Sequence, residues 1–369
     1  MQVTKLELTN FRNFPKLDLH LSPGLNLLIG PNAQGKTNLL EALHFLTTTR
    51  SFRGSRDADL VNFGAPFGRV AGGEVEITLQ PGEKTLKLRG KVARAAEVLG
   101  VLRSVLFSPE DMSLLSGSPQ GRRAHLDELI SRIDRKYLLS LISYHKTLKQ
   151  RNKLLWQVRE GRAQGSELSS WNELLVRDGA QILLRRYEVV SRLGEEIDKI
   201  SPSLFNGQKI KLAYLSKIPA ETLSEGGFKE GLTRAVITSH QAEINAATSL
   251  VGPHRDDWEV LLAGRNLGRF GSRGEQRAAI LALKLSEVNL NQAETGERPI
   301  LLLDDVLSEL DGEHQARLLE EVNKQQTILS ATSVEFFPMG ILGQAKIFKV
   351  SSGTIEPVSG KGASAVRTG

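Results

Sequence analysis

The chain has 369 residues, no cysteine, 48 lysines and arginines against 42 aspartates and glutamates, and a net charge of +6. That length suits two domains or three, and the missing cysteine excludes a disulfide framework, a Cys-ligated zinc site and a thiol nucleophile. No apolar run approaches the roughly 18 residues of a membrane span, and the start of the chain has no signal-peptide core, so a soluble, cytoplasmic protein with no membrane partner is expected.

The elements follow in chain order. Residues 3–10 and 16–21 alternate apolar with polar and predict strands. Leu25–Ile29 is a short apolar run closed by Gly30, the pattern of a buried strand. Leu39, Leu40, Leu43 and Leu46 then fall at helical spacing over 37–48. Shorter strands are expected at 74–79, 85–88 and 101–107. From Pro119 to about Ile200 amphipathic helical patterns take over, first from Arg122 through Ile133 and Tyr137 to Trp156, then from Trp171 onward after a break at 161–166. A turn and a strand follow to Leu215, then a helix over 228–249. α/β character resumes with a strand at 258–262, a helix at 277–291, an apolar strand at 300–303, a helix at 313–322 and a strand at 327–330. The chain beyond Ser351 is rich in Gly and Ser and is expected to fray. The pattern predicts an α/β head over 1–108 plus 248–369, interrupted by a compact helical lobe over 109–247.

Two segments carry chemistry. Gly30-Pro31-Asn32-Ala33-Gln34-Gly35-Lys36-Thr37 reads GxxxxGK[ST] between a strand and a helix. The glycines let successive N–H groups wrap a phosphate, and the helix start adds its dipole. Lys36 reaches the outer phosphates and Thr37 supplies a hydroxyl ligand for Mg²⁺, so ATP with Mg²⁺ is the expected cofactor pair. Far downstream, Ile300 to Leu303 runs into Asp304 and Asp305. A buried carboxylate needs a cation partner, which makes Asp304 a second metal ligand beside Thr37. Asp305 then faces the terminal phosphate and can polarise an attacking water, giving Lys36 and Asp305 catalytic roles.

With these in place, the chain resembles the RecF family of bacterial DNA-repair ATPases, whose heads are like those of ABC and SMC proteins. The resemblance rests on Phe11-Arg12-Asn13-Phe14, the loop from Gly30 to Thr37, Phe107-Ser108-Pro109-Glu110-Asp111, and Gly117-Ser118-Pro119 followed by Arg122-Arg123 and Leu126-Asp127. It continues in Gly252-Pro253-His254-Arg255-Asp256-Asp257, in Ser272-Arg273-Gly274-Glu275-Gln276-Arg277, which is similar to the signature motif, and in the run from Leu302 to Asp311. The resemblance implies an ATP-gated homodimer in which Ser272, Arg273, Gly274, Glu275 and Gln276 of one copy close on the nucleotide of the other. It adds Arg12 and Asn13 to the nucleotide site. It also implies DNA repair and replication, the SOS response, the loading of recombinase at gaps, and RecR and RecO as partners. Residues 272–275 are equally a capping box for an ordinary helix. Three departures point to slow, switch-like hydrolysis, a weak DNA-dependent ATPase at most. Pro109-Glu110 stands where ABC heads carry a Gln, Ser330 to Ser333 where transporters carry a switch His, and Asp305 is one methylene shorter than Glu.

Charge places the last expectation. Residues 122–186 carry 14 basic and seven acidic residues, so this stretch exceeds the whole chain's surplus. It either contacts a polyanion or forms a solvated helical face. Lys146, Lys149 and Lys153 share one helical face. With Arg122, Arg123 and Arg151 they form the contact to DNA that the resemblance implies, duplex or junction, through phosphates and without sequence specificity. No sustained heptad repeat accompanies them, which excludes a long coiled-coil arm. A P-loop small-molecule kinase, a transporter ATPase and a nuclease-associated SMC-like ATPase are the competing readings; the first leaves residues 272–276 without a role, and the second predicts no DNA affinity.

Overall fold

The computed structural model describes residues 1–218 and 222–358. The chain divides into two compact units. The head comprises Met1–Met112, Ile200–Gly207 and the chain from Ser272 on; the lobe comprises Ser113–Lys199 and Gln208–Gly271.

Among the described residues the head holds two sheets. Lys5–Phe11 and Phe14–His20 pair antiparallel, and Gly68–Gly72, Val75–Gln80, Glu83–Leu88 and Lys91–Val92 extend that sheet from the free edge of the first strand. The second sheet is mostly parallel, in the spatial order Thr354–Pro357, Lys346–Ser351, Leu25–Ile29, Thr327–Ala331, Ile300–Asp304, Ser104–Phe107. Its three central strands are buried along their whole length, which is why they are mostly apolar, with Asn26, Thr327, Ser330 and Asp304 as the polar exceptions. The helix Lys36–Thr48 packs Leu39, Leu40, Leu43, Phe45 and Leu46 into the core between the sheets, beside Phe11 and Phe14. Truncating such a fully enclosed leucine to alanine costs about 2–5 kcal/mol.

The lobe is built on three long helices, Pro119–Ile133, Arg135–Arg159 and Leu168–Ile200, with a fourth at Glu225–Ala246. It also contains a three-stranded antiparallel sheet in the order Arg265–Asn266, Asp257–Leu262, Ile210–Leu215.

Two expectations differ from this arrangement. The lobe does not end at 247. Asp257–Leu262 takes its hydrogen bonds from Ile210–Leu215, which carries the lobe on to Gly271, whereas Ile200–Gly207 belongs to the head. Nor does the chain fray at Ser351, because Thr354–Pro357 pairs with Lys346–Ser351; the remainder of that expectation falls on residues 359–369, outside the described residues. Gly68–Gly72 and Lys346–Ser351 were not foreseen as strands. The first has glycine at both ends, and the second interrupts its apolar run with Lys349.

Candidate functional site

The parallel sheet brings the two chemical segments together at the C-terminal ends of its strands. Ala331 lies level with Ile29 and Asp304 level with Ser330. Across 267 residues of sequence, Thr37 Oγ1 donates to Asp304 Oδ1 at 3.0 Å. Ser330, fully buried on the strand between them, donates to the same oxygen at 2.8 Å and accepts the Asp305 N–H at 2.9 Å. Burial pushes the Asp304 carboxyl above its ordinary range, and the hydroxyls of Ser330 and Thr37 oppose that. Asp305 stands in the left-handed region at φ 52, a strained position that aspartate tolerates better than most residues. Lys36 is buried and turned back on its own loop, donating to the carbonyls of Gly30 and Pro31 at 2.6 and 2.8 Å. Burial lowers the pKa of its ammonium, and the charges of Asp305 and then Asp304 oppose the shift.

The two loop glycines have different reasons to be glycine. Gly35 has φ 116, closed to most side chains. Gly30 is not in the left-handed region; a Cβ there would lie 2.3 Å from the Val350 carbonyl oxygen, so close approach of backbone excludes it. Pro31, Asn32 and Ala33 are exposed at the tip. Asn13 flanks the loop, donating to the Gln34 carbonyl at 3.0 Å and accepting from Asn38 at 2.8 Å. Arg12 is engaged elsewhere. Its guanidinium makes two 2.8 Å bonds to the fully buried carboxylate of Glu41 and further bonds to Ser55 Oγ and the Asp59 carbonyl. It braces the helix behind the loop and is not a free cation for the nucleotide.

Thr37 and Asp304 are the hard oxygen donors that suit Mg²⁺. Among the described residues no group of three or more His, Asp or Glu could hold a metal. The donor set therefore fits a cation that arrives with phosphate oxygens, as Mg²⁺ does with ATP.

Ser272 Oγ accepts the Glu275 N–H at 3.2 Å, and Glu275 returns the bond to the Ser272 N–H at 2.7 Å, a capping box that starts the helix Arg273–Thr295. Ser272, Arg273 and Gly274 are exposed, and a Cβ on Gly274 would meet nothing within 4 Å. The cap and a signature role are compatible, because both leave the next N–H groups facing outward. In the segment at 108–111, Asp111 accepts the Ser108 N–H at 2.7 Å and pairs with Lys284 at 2.8 Å, while Glu110 is exposed and its charge adds to the upward push on Asp304.

In the lobe, residues 252–257 are the hub of a buried polar network. Arg186, 2% exposed, donates to the Pro253 carbonyl, Asp127 and Tyr137. His254 Nε2 faces the Ser249 carbonyl at 3.1 Å, which can only accept, so Nε2 carries the proton and Nδ1 accepts from Tyr144 at 2.7 Å. Burial pushes the His254 pKa down to about 4. Asp256 accepts from Tyr214 and Ser216, and Asp257 is held by both Arg122 Nε and Nη2 at 2.7 Å.

The RecF/RecN/SMC N terminal domain family matches residues 2–338. "DNA replication and repair protein RecF" of Roseiflexus castenholzii is 39% identical over 97% of this chain and all of its own length, and that of Shouchella clausii is 37% identical over 96% and 99%. The chain belongs to the RecF family. A solved structure of the recombination mediator protein RecF with ATP, in the RecFOR pathway, superposes with a TM-score of 0.89 at 33% identity over 97% of both chains. An Smc head bound to the C-winged helix domain of ScpA reaches 0.54 at 17% identity, a likeness of fold.

For this RecF-family chain the basic candidates separate. Arg151 is fully buried, bonded to Glu243 at 2.5 Å, Ser249 at 2.7 Å and Asn172 at 2.8 Å; it is a structural ion pair, and its expected DNA contact is corrected. Arg122 is likewise spent on Asp257, and Arg123 donates to the Asp256 carbonyl at 2.7 Å. Lys146, Lys149 and Lys153 are exposed and make no side-chain hydrogen bond or ion pair among the described residues. Sequence reasoning missed Ser330 as the organiser of Asp304 and Asp305, having placed it only where transporters carry a switch His; a hydroxyl near the end of a mostly apolar strand was the available signal. Glu41 was also missed, a lone acid among the apolar positions of its helix.

Proposed function

We propose that this chain is an ATP-dependent switch in DNA replication and repair. Two copies close on ATP, residues 272–276 of each completing the other's nucleotide site. The closed dimer holds DNA through phosphate contacts and helps place recombinase at gaps, with RecR and RecO as partners. The observation that carries the reading is the meeting of Thr37 and Asp304 at the strand ends beside the phosphate loop. Its support outside this chain is the RecF relatives and the RecF structure with ATP.

The roles follow from the residues. The loop N–H groups and the start of Lys36–Thr48 receive phosphate oxygens, and Lys36 exchanges its two loop carbonyls for the outer phosphates. Thr37 and Asp304 would hold Mg²⁺, which offsets phosphate charge when bound. Asp305, fixed through its N–H by Ser330, orients the attacking water. Its short side chain supports turnover well below about 10 s⁻¹, an ordinary enzyme's value. Lys146, Lys149 and Lys153 supply the DNA contact, and Ser272–Gly274 supply the exposed helix start for the second copy's nucleotide.

The test compares wild type, Lys36→Met, Ser272→Arg and the triple Lys146→Glu/Lys149→Glu/Lys153→Glu by gel filtration and DNA binding, with and without ATP. Wild type should dimerise and bind DNA only with ATP. Lys36→Met should do neither, Ser272→Arg should bind ATP as a monomer, and the triple variant should dimerise without DNA affinity. Equal dimerisation and DNA binding by all four would overturn the switch.

A further inference from the structure

Among the described residues, the last hairpin of the head reaches the phosphate loop. Lys346–Ser351 runs parallel to Leu25–Ile29 with Lys349 level with Ile29, so the turn that follows is carried past Gly30 to the height of the loop. Its two central residues, Ser352 at φ 46 and Gly353 at φ 78, are both left-handed, as a type I′ turn requires. In an isolated hairpin the N–H groups of such a turn face water. Here both are spent on Gln34. The Ser352 N–H donates to Gln34 Oε1 at 2.7 Å, with its hydroxyl at 3.2 Å, and the Gly353 N–H donates to the Gln34 carbonyl at 3.2 Å. Asn13 Nδ2 donates to that same carbonyl at 3.0 Å. A Cβ on Gly353 would lie 2.2 Å from the Asn13 carbonyl oxygen, so turn and Asn13 meet backbone to backbone.

A trans peptide is planar, with its C=O and N–H pointing opposite ways. Two donors hold the Gln34 carbonyl toward Asn13 and the turn. The Gly35 N–H of the same peptide must therefore point away from them. We propose that Asn13 and the Ser352–Gly353 turn are positioning residues that set the Gln34–Gly35 peptide so that its N–H is aimed at phosphate before nucleotide arrives. This rests on the nucleotide reading of the loop and names the part of the chain that preorganises it.

The experiment titrates ATP and ADP into full-length wild type, Gly353→Ala, Asn13→Ala and the double variant, and follows amide exchange of residues 32–36 without nucleotide. Gly353→Ala should weaken both nucleotides on the order of tenfold, the loss of one aligned N–H to a charged oxygen. Loop exchange should quicken and KM should rise with kcat unchanged. The double variant should lose less than the product of the two single losses, because both singles release the same peptide. Wild-type affinity and loop exchange in Gly353→Ala would overturn the proposal. If that variant does not fold, Asn13→Ala removes one of the two donors to the Gln34 carbonyl and adds no atoms; it should still lose affinity several-fold, and an unchanged affinity there overturns the proposal too. Lys36→Ala separates the two claims. If it binds ATP like wild type, the nucleotide reading itself fails, whatever the turn variants do.

Discussion

Replacing Arg151 with methionine separates a DNA contact from an internal brace. Both members of the Arg151–Glu243 pair are fully buried, and Glu243 has one further donor, the Leu250 N–H at 2.7 Å. Removing the guanidinium leaves a carboxylate out of water with that single bond and also takes one donor each from Ser249 Oγ and Asn172 Oδ1. Breaking a buried pair on one side costs about 3–5 kcal/mol. For a unit of about 150 residues that lowers the melting temperature on the order of 10 °C. All three tryptophans, Trp156, Trp171 and Trp258, lie in the lobe, so tryptophan fluorescence during urea unfolding reports this unit and not the head. Arg151→Met/Glu243→Leu should recover most of the loss, since it leaves no lone charge. DNA affinity of folded Arg151→Met should match wild type. A cost below about 1 kcal/mol, the range of exposed pairs, or a selective loss of DNA binding would refute the reasoning.

Other predictions concern proton and hydroxyl placement. His254 has a folded pKa of about 4, below the ordinary imidazole value, so the unfolded chain takes up its proton first as pH falls. The stability this gives is complete above about pH 6.5 and is lost between there and pH 4, up to about 3 kcal/mol. The neighbouring charges of Arg255, Arg123 and His145 act in the same direction. Urea unfolding of His254→Gln should show a flatter pH dependence over that window, and an identical slope would count against it. Ser330→Ala deprives the Asp305 N–H of its acceptor and Asp304 of a donor; ATP binding should persist while single-turnover hydrolysis falls on the order of tenfold or more. With three lysines as the contact, the logarithm of DNA affinity against that of salt should slope at about −3 per copy; a slope beyond about −6 per copy would require further cations.

Much of the head was legible because burial on both faces leaves a plain mark. Leu25–Ile29 leads into the phosphate loop and Ile300–Asp304 ends on its carboxylate, and in a parallel sheet those ends share one edge. The antiparallel strand Gly68–Gly72 was not legible, since it carries only one large apolar residue, Val70. The lobe boundary was missed because Asp257–Leu262 alternates like any half-buried strand, and alternation says nothing of which partner supplies the hydrogen bonds. Gly30 was assigned to glycine for torsional reasons, while its constraint comes from Val350, 320 residues away in the chain.

The basic stretch shows why a sum of charges is a poor map of a surface. A sum weighs Arg151, Arg186 and Lys146 alike. Arg151 and Arg186 face acids in the interior, and one of those acids, Glu243, lies outside the stretch that was counted. Arg122 faces Asp257, also outside it. The local surplus is therefore smaller where it meets water than the sequence count implies. Arginine is the residue that burial selects, because its planar fork satisfies several acceptors at once, as Arg151 and Arg186 do here. Lysine, a compact and strongly hydrated charge, is left outside. Every lysine of the stretch is exposed, but so are Arg135, Arg159, Arg162 and Arg177, so burial, and neither net charge nor residue type alone, separates what holds the fold from what can meet a phosphate.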